Sequence, residues 1–285
     1  MEAVAIVGVG LIGGSFALAL RKAGFKGRIL GVSSPATVEE ALRRGVIDEA
    51  TSLEDAARSS DLIYLSQPIR RILETIPQLE AVARPEALIT DAGSTKAEIC
   101  RTARRHLRRA RFLGGHPMAG KERRGAGAAE ADLFAGRVWI LTPLASADLE
   151  TPGARELIRW IRAIGSHLLV LAPEEHDRVV ALTSHLPQLL STALAFTLAQ
   201  RLDRSDYLRA SGPGLLDMTR LAASPFEIWR DILATNQEAV RDALAACLTT
   251  LRQLERGIGS DDLGAFFDCA AALARRLREN AGERQ

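Results

Sequence analysis

The segment that most restricts the fold of this chain is Gly8-Val9-Gly10-Leu11-Ile12-Gly13-Gly14, a G-x-G-x-x-G pattern set between the apolar run Val4 to Val7 and a helical period from Gly13 to Ala23. Strand, glycine turn and helix in that order open a nucleotide-binding βαβ unit. The first glycine permits the tight turn and the second lets backbone amides approach a pyrophosphate. The third allows close packing of helix on strand, with the phosphates resting at the helix N-terminus. Gly8, Gly10, Leu11, Ile12 and Gly13 are therefore the expected cofactor cradle, with a glycine turn kept for packing alone as the rival reading.

The first half of the chain repeats this alternation. Arg28 to Val32, Leu62 to Leu65, Ala87 to Thr90, Val138 to Leu141 and Leu168 to Leu171 read as further strands, with helical periods at Val38 to Arg44, Ile69 to Ala83, Lys96 to Leu107 and Ala154 to Ile164. The alternation predicts an α/β fold, a Rossmann-type doubly wound, mostly parallel sheet. After Ala172-Pro173 strand-like runs give way to helical patterns at about 174–202, 225–256 and 261–279. A dinucleotide-binding domain over 1–172 and an all-helical domain over 173–285 are expected. The helices carry more apolar surface than one small bundle needs, which predicts a homodimer, a thicker monomeric core being the alternative.

The charge balance, 37 basic against 35 acidic residues for a net +2, gives no reason to expect nucleic acid as a partner. Arg101, Arg104, Arg105, Arg108, Arg109 and Arg111 cluster on one predicted helix and its exit, but no aromatic residues interleave, and a solvated helix face accounts for them. Cys100, Cys247 and Cys269 are widely spaced and match no metal-binding arrangement, so reduced intracellular thiols and no metal site are expected. Met1-Glu2 leads straight into Ala3 to Val7 with no basic leader, and Leu186 to Ala199, broken by Pro187 and Gln188, is shorter than the about 20 residues a bilayer span needs. A cytoplasmic protein without a membrane partner is the expectation.

At the end of the second strand, Gly31-Val32-Ser33-Ser34 lacks the acid that commonly binds the adenosine ribose. Ser33 and Ser34, with Thr37, suit either a hydroxyl or a 2'-phosphate, so NAD+ and NADP+ both stay open. Ser66-Gln67-Pro68, after the third strand, either borders the nicotinamide ribose or is an ordinary strand-ending turn. Asp91-Ala92-Gly93-Ser94-Thr95-Lys96 follows another strand and opens at the carboxyl edge of the sheet, where ligands bind. Asp91 joins the cofactor set. Ser94 faces the nicotinamide, caps the helix near Lys96, or does both. His116 lies in a small-residue turn, Gly114-Gly115-His116-Pro117-Met118-Ala119-Gly120, and an imidazole is suited to accepting a proton near neutral pH.

Asp91 to Lys96, Gly115 to Gly120, His176-Asp177-Arg178-Val179-Val180, Ser184-His185-Leu186-Pro187 and Asp217-Met218-Thr219-Arg220, in that order, resemble the prephenate/arogenate dehydrogenase family of tyrosine biosynthesis. The resemblance runs from the first strand to about Asn236. It implies a nucleotide-binding domain followed by a helical dimerisation domain, and an oxidative decarboxylation of prephenate or arogenate with NAD(P)+. By matched positions it implies that His116 is the catalytic histidine, Ser94 its partner, Arg220 the group binding the substrate side-chain carboxylate, and His185 a pocket histidine. Asp217, three residues before Arg220, is placed to steer the guanidinium. His176 and His106 read as solvated or capping residues, and Trp229 as packing.

Two positions depart from patterns common in this family. Lys121 stands where threonine or serine often follows the His-Pro-x-Ala-Gly turn, and Gln188 where a second histidine often follows His185. Both count as substrate-binding candidates. Lys121 is expected at the pocket mouth or in solvent, since a cation clamped on the departing carboxylate would stabilise the ground state. Neutral Gln188 favours the keto substrate prephenate over the ammonium-bearing arogenate. No appended regulatory domain is expected. The competing readings are a hydroxyacid or imine oxidoreductase of similar build, which has no reason to combine Ser94, His116 and Arg220, and a non-catalytic NAD(P)-sensing module.

Overall fold

β1 (Ala3–Val7) is buried at all five positions, as a strand covered on both faces must be. The computed structural model of the chain describes residues 1–121, 123–202 and 204–282. β1 is followed by β2 (Arg28–Val32), β3 (Glu49–Ala50), β4 (Leu62–Leu65), β5 (Leu88–Asp91), β6 (Arg111–Pro117), β7 (Val138–Thr142) and β8 (His167–Val170). They form an eight-stranded sheet of order β3-β2-β1-β4-β5-β6-β7-β8. Chain order reverses between β1 and β4, and ligands bind at such a switch point in doubly wound sheets. Every pairing is parallel except β6 with β7. Among the described residues no crossover helix joins those two strands; a loop that includes a short 3-10 turn at Ala126–Ala128 leads back, and the return is antiparallel.

Alternation along the strands sends side chains to two cores. Val4, Ile6, Leu62, Tyr64 and Leu88 meet α1 (Leu11–Lys22) and α6 (Pro152–Ala163) through Phe16, Leu20, Leu157 and Ile161. Ala5, Val7, Ile63, Leu65 and Ile89 meet α4 (Ile69–Val82) and α5 (Ala97–His106) through Ile72, Ile76, Leu79 and Ile99. Burying each large apolar side chain contributes about 1.5–3 kcal/mol. In the first core Phe16, Tyr64, Phe134 and Trp139 form an aromatic knot with ring centroids 4.5 to 6.0 Å apart.

Two expectations about the sheet need correction. The strand carrying His116 was expected as a turn, and β3 was not expected at all. Gly-Gly-His-Pro has the composition of a turn, yet here the glycines are demanded by packing inside a strand. A Cβ on Gly114 would lie 2.3 Å from Thr142 Oγ1, and one on Gly115 would lie 2.7 Å from the Asp91 carbonyl.

The chain falls into two compact units, Met1–Val180 with Ser224–Asn236, and Ala181–Ala223 with Gln237–Gln285. The sheet ends at Val170, close to the expected boundary at 172, but the first unit also holds α7 (Pro173–Val180) and α10 (Phe226–Thr235). α10 belongs there because Ile232 and Trp229 pack into the core of α4 and α5. The single helix expected over 225–256 is two helices, α10 and α11 (Gln237–Gly257), broken at Asn236. Asn236 leaves helical backbone geometry (φ −127°, ψ 35°), and its amide nitrogen donates to the Asp177 carbonyl at 2.7 Å.

The second unit is helical: α8 (Leu186–Arg201), α9 (Pro213–Thr219), α11 and α12 (Gly264–Gly282). A π turn over Ala181–His185 precedes α8. Pro187 explains it, because proline has no N–H to donate and its ring crowds the carbonyl four residues back, at Thr183. Phe196, Leu216, Ile258, Phe267 and Leu277 stand more than half exposed on the single chain.

Candidate active site

The glycine turn leaves β1 at Gly8, whose φ of +97° is left-handed, where a side chain is strained. A Cβ there would also sit 2.8 Å from the Ser66 backbone, and one on Gly13 would sit 2.3 Å from both the Gly8 carbonyl and Ser66 Oγ. At Gly10 a Cβ would meet no atom of the chain within 4 Å. Two glycines are thus forced by the chain itself, while the third faces open space at the start of α1. First-turn amides such as those of Leu11 and Ile12 have no acceptor within their own helix and attract an anion. This is the fit a pyrophosphate requires, so the residues present suit a dinucleotide.

A cavity of about 450 Å³ opens from this turn, bordered by Gly10, Leu11, Ile12, Ser66, Gln67, Pro68 and Ser94, and on the α10 side by Glu227 and Asp231. Its volume falls in the usual range for small-molecule sites. Ser66 Oγ donates to the Gly8 carbonyl at 2.8 Å, so this hydroxyl braces the glycine turn. Gln67 accepts a hydrogen bond from Thr75 Oγ1 at 3.0 Å. Ser33 and Ser34 are exposed at the end of β2, and Ser34 Oγ lies 2.8 Å from Thr37 Oγ1.

Asp91, expected in the cofactor set, does not border this cavity. It is wholly buried and forms an ion pair with the equally buried Lys96, while its oxygens accept from the backbone N–H groups of Gly93 (2.8 Å) and Gly115 (3.1 Å). Lys96 also donates to the Gly115 carbonyl at 2.8 Å. The pair clips the loop after β5 to β6 next to His116. Ser94 does not cap α5; the Asp177 carboxylate does, accepting from the N–H groups of Lys96 (2.7 Å) and Ala97 (2.9 Å). Ser94 itself borders the cavity and has no hydrogen bond among the described residues.

His116, on β6, is 8 % exposed and is not part of the cavity wall. Its Nδ1 lies 2.8 Å from Nε2 of His176, and His176 Nδ1 lies 2.8 Å from Asp177 Oδ1. His176 is fully buried, which overturns its reading as a solvated or capping residue. Burial holds its imidazole below the ordinary value of 6.5, against the opposing pull of the Asp177 carboxylate. A separation of 60 residues hid this contact in the sequence. The available signal was the adjacency of His176 and Asp177 at the start of a helix.

Lys121 borders the cavity mouth and is ion-paired with Glu130. In the second unit, His185 lies buried on the π turn and Arg220 stands exposed at the C-terminal end of α9. Gln188, expected to touch substrate, is buried and donates to the Leu221 carbonyl (2.9 Å) and Thr192 Oγ1 (3.2 Å). Ser191 Oγ accepts from the Ala222 N–H at 3.0 Å, so both residues fasten the turn that follows Arg220. The expected steering of Arg220 by Asp217 is absent, because the two form no ion pair among the described residues. Trp229 Nε1 donates to Ser224 Oγ at 2.9 Å.

Residues 16–176 match the family model for the prephenate dehydrogenase nucleotide-binding domain, and residues 172–271 that for the prephenate dehydrogenase dimerization domain. A prephenate dehydrogenase of Bacillus subtilis (strain 168) is 32 % identical over 275 residues, covering 93 % of this chain and 72 % of that protein. The crystal structure of prephenate dehydrogenase from A. aeolicus in complex with hydroxyphenyl propionate and NAD+ superposes with a TM-score of 0.88 at 33 % identity, covering 97 % of this chain and 98 % of that one. Arogenate dehydrogenase of Synechocystis gives a TM-score of 0.76 at 31 % identity, over 99 % of this chain and 98 % of that one. A glycine cradle shaped for a dinucleotide, a strand-borne histidine and two successive domain matches agree: the chain belongs to the prephenate dehydrogenase family.

Proposed function

We propose that this NAD(P)-dependent dehydrogenase converts prephenate to 4-hydroxyphenylpyruvate by oxidative decarboxylation, in tyrosine biosynthesis. The observation that carries the reading is the cavity shared by Gly10 and Ser94, with His116 on the strand next to the one that ends before Ser94. Gly10, Leu11 and Ile12 hold the dinucleotide pyrophosphate, and Ser33 and Ser34 take the adenosine ribose or its phosphate. When bound, NAD(P)+ supplies the hydride acceptor.

His116 Nε2 takes the C4 hydroxyl proton as the C4–O bond becomes a carbonyl and C4 gives up its hydride. Loss of CO2 from C1 then sends an electron pair through the ring to that oxygen. His116 returns the proton there, completing the phenol. Ser94 orients the hydroxyl, and Arg220 holds the side-chain carboxylate in a bidentate pair. Arogenate is the second reading, favoured by Glu227, whose carboxylate borders the cavity and suits an ammonium group.

We assign nucleotide binding to the unit that holds the sheet and pairing of two copies to the helical unit, through its exposed apolar side chains. The helical stretch Pro173–Arg201, which includes α7, the π turn and α8, is long and apolar enough to cross a bilayer by length and composition. It falls within the segment matched by the dimerization-domain model, and we assign its apolar surface to subunit pairing in the cytoplasm. Initial rates with prephenate and with arogenate, each with NAD+ and NADP+, test the function by the absorbance of the reduced dinucleotide. Prephenate is expected to be turned over fastest, and a flat trace with both substrates would refute the proposal.

A further inference from the structure

Two buried imidazoles and a carboxylate stand in line, His116 Nδ1 to His176 Nε2 at 2.8 Å and His176 Nδ1 to Asp177 Oδ1 at 2.8 Å. From this line we infer that His176 and Asp177 are positioning residues that lock His116 in the tautomer able to act as a base. The inference rests on the role given to His116 above.

The argument starts at the carboxylate. An ionised carboxylate only accepts hydrogen bonds. Asp177 already accepts at both oxygens, Oδ1 from the Lys96 N–H and Oδ2 from the Ala97 N–H, so the carboxylate stands here as an acceptor. The nitrogen of His176 that faces it must therefore carry hydrogen. A neutral imidazole has one N–H and one lone pair, so His176 Nε2 is an acceptor. His116 Nδ1 facing that lone pair must in turn be the donor. The remaining nitrogen of His116, Nε2, then bears the lone pair that takes the substrate proton. Reversing any one link would set hydrogen against hydrogen or lone pair against lone pair.

The same line supports the charge that His116 gains. On taking the hydroxyl proton the ring becomes an imidazolium, whose Nδ1–H bond to His176 strengthens while the carboxylate polarises His176 from the far side. The groups facing His176 are Asp177 on its own helix, Lys96 at the start of α5, Asp91 at the end of β5 and His116 on β6. Lys96 and Asp91 offset each other as a pair, which leaves Asp177 as the net negative partner. Burial keeps His176 itself neutral, as the relay requires. This arrangement is the one familiar from carboxylate–histidine pairs in hydrolases, lengthened by one imidazole.

The first test needs no substrate. Long-range 15N–1H correlation spectra of the 15N-histidine-labelled protein, at neutral pH, are expected to show His116 protonated on Nδ1. Asp177→Asn, whose amide donates to His176, is expected to move that proton to Nε2. A wild-type His116 carrying hydrogen on Nε2 would overturn the inference, even if prephenate is turned over normally.

The second test is kinetic. His176→Phe leaves the Asp177 cap of α5 in place and removes the acceptor. It is expected to lower kcat roughly 10²-fold, with KM for the substrate changed less than about threefold. His176→Gln, whose carbonyl can still accept from Nδ1, is expected to recover about tenfold of that loss. Wild-type kcat in His176→Phe, or no rescue by glutamine, would sink the proposal. Failure of the wild-type protein to oxidise prephenate or arogenate would instead refute the proposed function and leave the tautomer measurement standing.

Discussion

Removing the amine of Lys96 isolates a carboxylate in the interior. Lys96 and Asp91 are both fully buried, so neither charge is eased by solvent. In Lys96→Met, Asp91 keeps only the N–H groups of Gly93 and Gly115, and the Gly115 carbonyl loses its donor. Breaking one side of a buried ion pair costs about 3–5 kcal/mol. Against a total stability of about 5–15 kcal/mol, that is a large fraction. For a unit of this size it corresponds to a fall in Tm of roughly 6–20 °C. Trp139, Trp160 and Trp229 all lie in the unit that contains the pair, so intrinsic fluorescence during urea or thermal unfolding follows the relevant transition. The double variant Lys96→Met with Asp91→Asn, which leaves neither member of the pair charged, is expected to regain roughly half of the loss. A single variant less than about 1 kcal/mol below wild type would show that the carboxylate is compensated otherwise and would refute the clip between the β5 loop and β6.

The glycine turn predicts contrasting outcomes: Gly10→Ala should fold with near wild-type Tm yet bind NAD+ at least about tenfold more weakly, while Gly13→Ala should lose stability outright, as calorimetry of both variants will show. Cys100 is buried, and its thiol is pushed up to about 12 by burial, so a thiol reagent at neutral pH should label Cys247 and Cys269 but spare Cys100, read by peptide mass spectrometry. His176 is held below 6.5 in the folded chain and therefore binds fewer protons there than when unfolded. Its contribution to stability is full above that pH and declines as pH falls through 6.5 toward the lowered folded value, and urea midpoints across this window should fall less in His176→Phe than in wild type. Arg220→Ala should raise KM for substrate far more than it lowers kcat, and the opposite pattern in steady-state kinetics would remove Arg220 from a binding role.

The parts of the molecule legible in the sequence are those whose chemistry is local. The Gly8 to Gly13 turn, the buried strands on either side of it and the helices of the second half each announce themselves within a dozen residues. What escaped notice depends on partners far away along the chain. Gly114 and Gly115 read as a turn because nothing nearby reveals Thr142 or the Asp91 carbonyl pressing on them. The surroundings of Asp91 and Ser94 were hidden for a similar reason. The residue that caps α5 is Asp177, 81 residues beyond Lys96, while Ser94 borders the cavity and Asp91 pairs with Lys96. Gln188 was read by its likeness to a pocket position, but its amide meets a carbonyl 33 residues away.

The π turn at Ala181–His185 sets the rotational phase of α8. Successive residues of an α-helix are about 100° apart around the axis, so deleting one residue from that turn would restore an unbroken ladder and rotate α8 by about that angle. Gln188 and Ser191 would swing away from Leu221 and Ala222, and the turn beside Arg220 would lose its anchor. A one-residue deletion here should therefore act like a sheared key, leaving the helix intact and its teeth misaligned.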